Sequence, residues 1–148
     1  MRIVIVDDER PARSELKYLV SLCEPDAQIT EAASSEELLE LMDRESFDVC
    51  FVDINLGGIN GTTVASMIKK QMPDAQIIFA TAFRDYAVKA FEIGAMDYLL
   101  KPCDEDELVS VIEEAMRLTD RRELQKARDF GMDGGKALDG DIPGVRGV

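Results

Sequence analysis

The alternation of short apolar runs with helical segments restricts the fold of this chain more than any other feature of its sequence. The runs are RIVIV (2–6), AQITEA (27–32), DVCFVD (48–53), AQIIFA (75–80) and MDYLL (96–100). Each is short and rich in valine, isoleucine or aromatic residues, as buried strands are. The segments that follow the runs carry apolar residues three and four positions apart, which predicts amphipathic helices. The alternation predicts an α/β fold, with a parallel sheet, helices on both faces and right-handed crossovers.

Several residues mark the predicted helix ends. Ser34 and Glu37 are three positions apart, which is the spacing of a capping box. Pro11 stands where the first turn of a helix tolerates proline, and Gly94 stands where the fourth helix would end. Asp104 predicts a cap for the fifth helix.

Composition excludes several classes of function. The chain has no histidine, which removes histidine-dependent nucleophilic catalysis and histidine-ligated metal sites. Its formal net charge of −13 argues against binding of nucleic acid or an anionic membrane by this segment. No apolar run is long enough to span a bilayer, and no leader for export is evident. The cysteines Cys23, Cys50 and Cys103 are odd in number and widely spaced, which predicts free thiols and a cytoplasmic location.

The chain divides into two parts by composition. Residues 1–118 carry all five apolar runs and predict one domain. Residues 119–148 begin with the charged segment TDRRELQKARDF, which predicts an extension of the last helix. The final eighteen residues hold six of the ten glycines, and such a composition is typical of a linker or a cloning remnant.

Polar residues follow the predicted strands where each of them ends. Asp7 and Asp8 follow the first strand and Asp53 the third, while Thr81 and Lys101 stand at the ends of the fourth and fifth. The carboxyl ends of parallel strands meet at one edge of the sheet, which is where such folds bind ligands. The sequence therefore predicts that these side chains converge.

Three clustered carboxylates need a positive charge between them. Two unit charges 4 Å apart repel by about 1 kcal/mol in water and about 4 kcal/mol at an effective dielectric constant of 20. Because all the nearby ligands are oxygens, we expect a hard cation, Mg²⁺ or Mn²⁺, rather than zinc. The lysine at the same edge suggests phosphoryl chemistry with a carboxylate as nucleophile.

At this point the motifs resemble those of a known family. The segments IVIVDDE, FVDINLGGINGTTVA, FATAF and AMDYLLKP, in this order, resemble the receiver domain of bacterial two-component response regulators. The likeness covers residues 1 to about 118 and implies a flavodoxin-like, doubly wound sheet of five strands in the order 2-1-3-4-5. The segment YAVKAFEIGAMDYLLKP is most similar to receivers joined to a LytTR-type DNA-binding output domain, and no such output domain is found in these residues.

The resemblance assigns roles to individual residues. Asp53 would be the phosphoacceptor, charged from the phosphohistidine of a histidine kinase, and Lys101 and Thr81 would contact the phosphoryl group. The likeness also implies a cis bond before Pro102. The implied direct ligands of Mg²⁺ are Asp8, Asp53 and the backbone carbonyl of Asn55, and Asp7 would act through water. Ala82, beside Thr81, is the remaining implied binding residue.

The resemblance also implies a switch and a partner. Tyr98 would turn inward when Thr81 moves toward the phosphoryl group, changing the surface formed by the fourth helix, fifth strand and fifth helix. The charged residues expected on that surface are Lys89, Glu92, Asp97, Asp104 and Glu107. We expect a homodimer through this face on phosphorylation, and a signalling protein in place of a turnover enzyme.

Two alternatives stay open from the sequence. A phosphatase with an aspartyl nucleophile would carry a D-x-D-x-T pattern on its first strand, whereas this chain has DDERP. A receiver-like interaction module that never takes up phosphate would lack site residues that this chain retains. Gly57 stands where many receivers have proline, which predicts a looser loop around Asn55.

Overall fold

Ten elements form the chain in strict alternation. The computed structural model describes residues 1–133, with side-chain surroundings for residues 1–130. The strands are β1 (Arg2–Val6), β2 (Gln28–Ala32), β3 (Val49–Val52), β4 (Gln76–Thr81) and β5 (Asp97–Leu100). The helices are α1 (Arg10–Cys23), α2 (Ser35–Met42), α3 (Gly61–Gln71), α4 (Ala87–Ile93) and α5 (Glu105–Asp133). All five predicted strands are confirmed, each within one residue of its predicted bounds.

The five strands form one parallel sheet in the order β2-β1-β3-β4-β5. β1 lies between β2 and β3, with Val6 opposite Ala32 on one side and Val52 on the other. β4 pairs β3 on one side and β5 on the other, so that Thr81 stands opposite Leu100. The predicted flavodoxin-like order is confirmed, and it brings the carboxyl ends of the strands to one edge of the sheet.

Both faces of the sheet are buried, which explains why the strand sequences are continuously apolar. In β1, Val4 and Val6 pack into the core beneath α2, α3 and α4. Ile3 and Ile5, which alternate with them, pack into the second core with α1 and α5. A one-residue shift of the strand would exchange the two sets, so the register is fixed by the burial of both faces.

The predicted helix ends are observed. The Ser34 hydroxyl accepts a hydrogen bond from the Glu37 backbone nitrogen at 3.1 Å, while the Glu37 carboxylate accepts from the Ala33 nitrogen at 2.8 Å. This arrangement differs from an ideal capping box only in that the reciprocal bond reaches one residue before the cap. Gly94 ends α4 with φ of 100°, and the Asp104 carboxylate accepts from the nitrogen of Glu107.

Residues Met1–Met116 form one compact unit, and a second unit begins at Arg117 within the long helix α5. In the part of the chain that the structure describes, no helix has both the length and the apolar character needed to cross a membrane. The predicted helical extension over 119–130 is observed, and α5 continues three residues into the predicted glycine-rich segment, to Asp133. The rest of that segment, 134–148, lies outside the described residues, and the division at 118 stays a prediction.

The three cysteines are unpaired, as predicted. Cys50 is completely buried in the centre of β3, and burial raises the pKa of its thiol to about 12. Cys103 is half-buried after β5, and burial likewise raises the pKa of its thiol above the ordinary value despite the opposing charge of Lys101. A thiol held in its neutral form is a weak nucleophile, which agrees with a structural role for these residues.

We predict that Ser34→Ala lowers the free energy of unfolding by about 1 kcal/mol, because the substitution removes the hydroxyl that accepts from the start of α2. Urea denaturation followed by circular dichroism measures this change. Ser110→Ala, on the exposed side of α5, is the control and should change stability by less than about 0.5 kcal/mol. Equal losses in the two variants would contradict the assignment of Ser34 as a cap.

Candidate functional site

The backbone ladder of the sheet continues past the strand ends and places the candidate side chains. The nitrogen of Asp53 donates to the carbonyl of Val6 at 3.0 Å, just beyond β3. The nitrogen of Lys101 donates to the carbonyl of Thr81 at 2.8 Å, just beyond β5. Because these bonds fix the first residue after each strand, Asp53 and Lys101 take defined positions at the same edge of the sheet.

The ammonium group of Lys101 bridges two carboxylates from different strands. It lies 2.6 Å from Asp7 Oδ2 and 2.9 Å from Asp53 Oδ2. Both aspartates are buried, and about a quarter of the lysine side chain is exposed. Burial lowers the pKa of Lys101, but the hydrogen bonds and charges of Asp7 and Asp53 outweigh it, so its pKa is raised. The lysine therefore stays charged at neutral pH and offsets the repulsion between the two acids.

Asp7 is held by further contacts in the turn between β1 and α1. Its Oδ1 accepts a hydrogen bond from the nitrogen of Glu9 at 2.9 Å, and its own nitrogen donates to the carbonyl of Ala32 at 3.1 Å. The residue at the N-cap position of α1 is Glu9, and its side chain makes no capping bond. The first two acids therefore do not serve as the helix cap, which is the ordinary structural role for acids at such a place.

Asp8 extends toward the loop that follows β3. Its side chain is exposed, and a Cβ atom placed on Gly57 would lie 3.7 Å from Asp8 Oδ2. Gly57 has φ of 64° and Gly58 has φ of 115°. Proline is restricted to φ near −65°, so it cannot take the conformation of Gly57 seen here. The looser loop predicted from this glycine stays a prediction.

The loop between β3 and α3 is closed by backbone contacts. Asn55 and Asn60 form an antiparallel bridge, and the nitrogen of Gly61 donates to the carbonyl of Ile54 at 2.7 Å. A Cβ atom on Gly61 would lie 2.1 Å from the carbonyl oxygen of Asp53, which is closer than any real contact. Gly61 is therefore needed for α3 to begin against the backbone of the central acid.

Thr81 and Tyr98 both contact Phe83, in the loop between β4 and α4. The completely buried Thr81 hydroxyl accepts a hydrogen bond from the Phe83 nitrogen at 3.3 Å. The Tyr98 hydroxyl donates to the Phe83 carbonyl, and its ring packs on Phe79. Burial above all raises the pKa of Tyr98, so the phenol keeps the proton that it donates.

The predicted convergence of three carboxylates is seen in part. The structure brings Asp7 and Asp53 onto one ammonium group, while the carboxylate of Asp8 lies beside Gly57. Among residues 1–130, no three acidic or thiol side chains gather closely enough to form a metal-binding group. Ala82 is exposed beside Thr81.

The donor atoms nevertheless suit a hard cation. Asp53 Oδ1 takes only a long hydrogen bond, 3.3 Å from the Asn55 nitrogen, so it keeps capacity to bind a ligand. The exposed carboxylate of Asp8, which lies beside Gly57 in the loop after β3, and the backbone carbonyl of Asn55 in the same loop are further oxygen donors. Oxygen donors with room for water are what Mg²⁺ requires.

Two residues that sequence reasoning missed support this site. Arg13 of α1 donates to the backbone carbonyl of Asp7 at 2.7 Å and pairs with Glu31 at 3.1 Å. Gly61 allows the start of α3 to lie against the backbone carbonyl of Asp53. The only sequence signals were an arginine on the first turns of a helix that follows two acids, and a glycine directly after the capping residue Asn60.

The predicted cis bond between Lys101 and Pro102 is observed. It stands where β5 ends, directly after the lysine that bridges the two acids.

Comparison with known families gives one match over most of the chain. A family model described as the response regulator receiver domain matches residues 3–113. Sensory transduction protein LytT of Bacillus subtilis is 43% identical over 108 residues, which make up 73% of this chain and 45% of LytT. Transcriptional regulatory protein LytR of Staphylococcus aureus is 35% identical over 143 residues, covering 97% of this chain and 58% of LytR. The chain thus spans about half the length of these curated relatives.

Solved structures show the same fold. The response regulatory domain of protein mrkE from Klebsiella pneumoniae has a TM-score of 0.77 and 29% identity, covering 82% of this chain and 99% of that one. The receiver domain of DrrB activated with BeF3 has a TM-score of 0.67 and 28% identity, covering 78% of this chain and 97% of that one.

We predict that Gly61→Ala lowers the free energy of unfolding by about 1–3 kcal/mol, because the new methyl group meets backbone that cannot move aside easily. Thr63→Ala, exposed in the same turn of α3, is the matched control and should cost less than about 0.5 kcal/mol. Urea denaturation of both variants measures the difference. A Gly61→Ala variant as stable as the wild type would show that the loop adapts without cost.

Proposed function

The chain belongs to the response regulator receiver-domain family, and from this premise we propose that Asp53 accepts a phosphoryl group from the phosphohistidine of a histidine kinase. Receiver domains act with histidine kinases in two-component systems, and they are signalling proteins. The observation that carries the proposal for this chain is the ammonium group of Lys101, held between Asp7 and Asp53 at the ends of three strands.

The transfer step uses groups already in place. An oxygen of Asp53 attacks the phosphorus atom, a P–O bond forms, and the P–N bond to the imidazole breaks with its electron pair going to the histidine nitrogen. Lys101 can stabilise the negative charge on the transferred phosphoryl group, because its ammonium lies 2.9 Å from Asp53 Oδ2 and can donate to a phosphoryl oxygen. Asp53 is buried except for a narrow exposed fraction, so the donor reaches it only through the open edge of the sheet.

The acidic residues around Asp53 would hold Mg²⁺. We assign Asp8, Asp53 and the Asn55 carbonyl as direct ligands, with Asp7 acting through water and Mn²⁺ as a possible substitute. When bound, the ion neutralises charge on the phosphoryl oxygens. Asp7 keeps its ion pair with Lys101, and Ala82 lies beside the region that the phosphoryl group would occupy.

We assign Thr81 and Tyr98 as the residues that report phosphorylation. The Thr81 hydroxyl accepts a hydrogen bond from the Phe83 nitrogen and has its own proton to donate to a phosphoryl oxygen on Asp53, so a movement of Thr81 toward that oxygen would change its contact with Phe83. Because the Tyr98 hydroxyl donates to the carbonyl of the same Phe83, a shift of this residue disturbs both contacts. The position of Tyr98 on β5 is therefore coupled to the state of Asp53.

The surface that responds, in this proposal, is formed by α4, β5 and the first turns of α5, and it pairs with a second copy on phosphorylation. Its centre on α4 is apolar: Val88 is 74% exposed and Phe91 is 54% exposed. The exposed charged residues around this centre are Lys89, Glu92, Asp104 and Glu107. Asp97 is half-buried, and its carboxylate accepts a hydrogen bond from the nitrogen of Tyr98. An apolar centre with charged edges suits an isologous interface.

The proposed output is control of transcription through a DNA-binding domain, and the Staphylococcus aureus relative is named a transcriptional regulatory protein. The acidic segment described here would not itself contact nucleic acid or membrane. The cytoplasm is the proposed compartment, since a reducing environment keeps its three thiols unpaired.

We predict one phosphoryl adduct on the wild-type chain after incubation with acetyl phosphate and Mg²⁺, and none on Asp53→Asn, which lacks the nucleophilic oxygen. Intact-mass spectrometry measures the adduct, with EDTA replacing Mg²⁺ in a parallel sample. Asp26→Asn, an exposed carboxylate in the turn before β2, is the matched control and should be phosphorylated normally. No adduct on the wild type would favour an interaction module that works without phosphate, and steady hydrolysis of phosphate monoesters would favour a phosphatase.

We predict that beryllofluoride with Mg²⁺ converts the wild-type chain from monomer to dimer, and that Phe91→Ser stays monomeric because the apolar centre is lost. Sedimentation velocity measures the mass, and intact-mass spectrometry verifies that the variant is still phosphorylated by acetyl phosphate. Leu22→Ser is the matched control, because Leu22 is an equally exposed apolar residue on α1. An unchanged mass of the wild type with beryllofluoride would contradict dimerisation through this face.

A further inference from the structure

Arg13 connects three parts of the fold beside the acidic residues. Its Nη1 donates to the backbone carbonyl of Asp7 at 2.7 Å, and its Nε pairs with Glu31 Oε1 at 3.1 Å. Only 13% of the arginine side chain is exposed. The guanidinium therefore joins α1 to the carboxyl end of β1 and to the edge strand β2, and its planar fork serves both acceptors at once.

The contact with the Asp7 carbonyl completes the bonding of that residue. The Asp7 nitrogen donates to Ala32, Oδ1 accepts from Glu9, and Oδ2 accepts from Lys101. With the carbonyl taken by Arg13, every polar group of Asp7 is engaged. Three of these contacts fix the nitrogen and side chain of Asp7, and the fourth fixes the plane of the peptide that follows it.

That peptide carries Asp8. Because a peptide unit is planar, the direction of the Asp7 carbonyl also sets the position of the Asp8 Cα atom. The starting point of the Asp8 side chain, and hence the place of its carboxylate beside Gly57, follows from the orientation that Arg13 imposes. The arginine itself does not need to contact the cation to affect where the acid stands.

We propose that Arg13 is a positioning residue that orients the Asp7–Asp8 peptide and so places Asp8 for divalent-cation binding; this inference rests on the proposed function. Supporting groups of this kind act on metal affinity through the ligands that they orient. Removal of a positioning residue would weaken cation binding, which is the opposite of the effect expected from charge alone. A guanidinium that acted by its charge alone would repel the cation, and its removal would strengthen binding.

Lys17 provides a matched control for this distinction. It pairs with the same Glu31 at 3.5 Å, and its side chain is 48% exposed. Its removal changes the net charge in the same way as removal of Arg13, but its ion pair is with Glu31, whereas the carbonyl of Asp7 is contacted by Arg13. A difference between the two variants therefore reports the contact with Asp7.

The test measures Mn²⁺ binding directly, by the electron paramagnetic resonance signal of the free ion, for the wild type, Arg13→Gln, Arg13→Lys and Lys17→Gln. We expect about tenfold weaker binding for Arg13→Gln. Arg13→Lys keeps the charge but cannot make both contacts, and should weaken binding by about threefold. Lys17→Gln should bind as the wild type does. With acetyl phosphate, Arg13→Gln should need correspondingly more Mg²⁺ for half-maximal phosphorylation, while the rate at saturating Mg²⁺ stays within about twofold.

Unchanged or stronger Mn²⁺ binding by a folded Arg13→Gln chain would overturn the inference, as would an equal loss in Lys17→Gln. Thermal unfolding of each variant checks folding, and if Arg13→Gln does not fold, unchanged binding by Arg13→Lys overturns the inference. If the wild-type chain takes up phosphate normally and the Arg13 variants match it in Mn²⁺ binding and in Mg²⁺ dependence, this inference alone is refuted. A wild-type chain that neither binds Mn²⁺ nor takes up phosphate would refute the proposed function together with it.

Discussion

The ion pairs of Lys101 with Asp7 and Asp53 are the interaction on which the arrangement of the site depends. The three residues are distant in the sequence and meet only because parallel strands bring their carboxyl ends to one edge. Two buried carboxylates that contact the same ammonium group would repel each other in its absence, and the positive charge between them offsets that repulsion. The sheet order, the buried register of β1 and the backbone bonds just beyond β3 and β5 all serve to bring these charges together.

The same arrangement bears on the reaction that we propose for Asp53. A carboxylate that shares its ammonium with a second acid is less completely neutralised than one in a simple pair, which suits the proposed nucleophile. Its Oδ1 is bound only by the long contact from Asn55, and the oxygen remains available. The two oxygens of Asp53 therefore differ in their surroundings, because Oδ2 is held by the lysine whereas Oδ1 takes one long hydrogen bond.

The sequence was sufficient for those parts of the molecule that repeat a pattern. The apolar runs predicted the strands, the spacing of Ser34 and Glu37 predicted a helix start, and the residues after the strands predicted Asp53 and Lys101 as neighbours. Arg13 was missed because its contact with Asp7 is to the backbone carbonyl, which no side-chain pattern encodes. The absence of a close cluster of three acids among the described residues was missed because side-chain directions decide it, and the sequence pattern does not encode these.

The two contacts of Phe83 have a consequence for how this region tolerates change. Thr81 bonds to its nitrogen and Tyr98 to its carbonyl, so neither contact uses the aromatic ring. The connection between the two residues is made by the main chain, and it would survive nearly any side chain at this position. Proline is the exception, because it has no N–H to donate. The side chain at position 83 can therefore change while the main chain keeps connecting the end of β4 to β5.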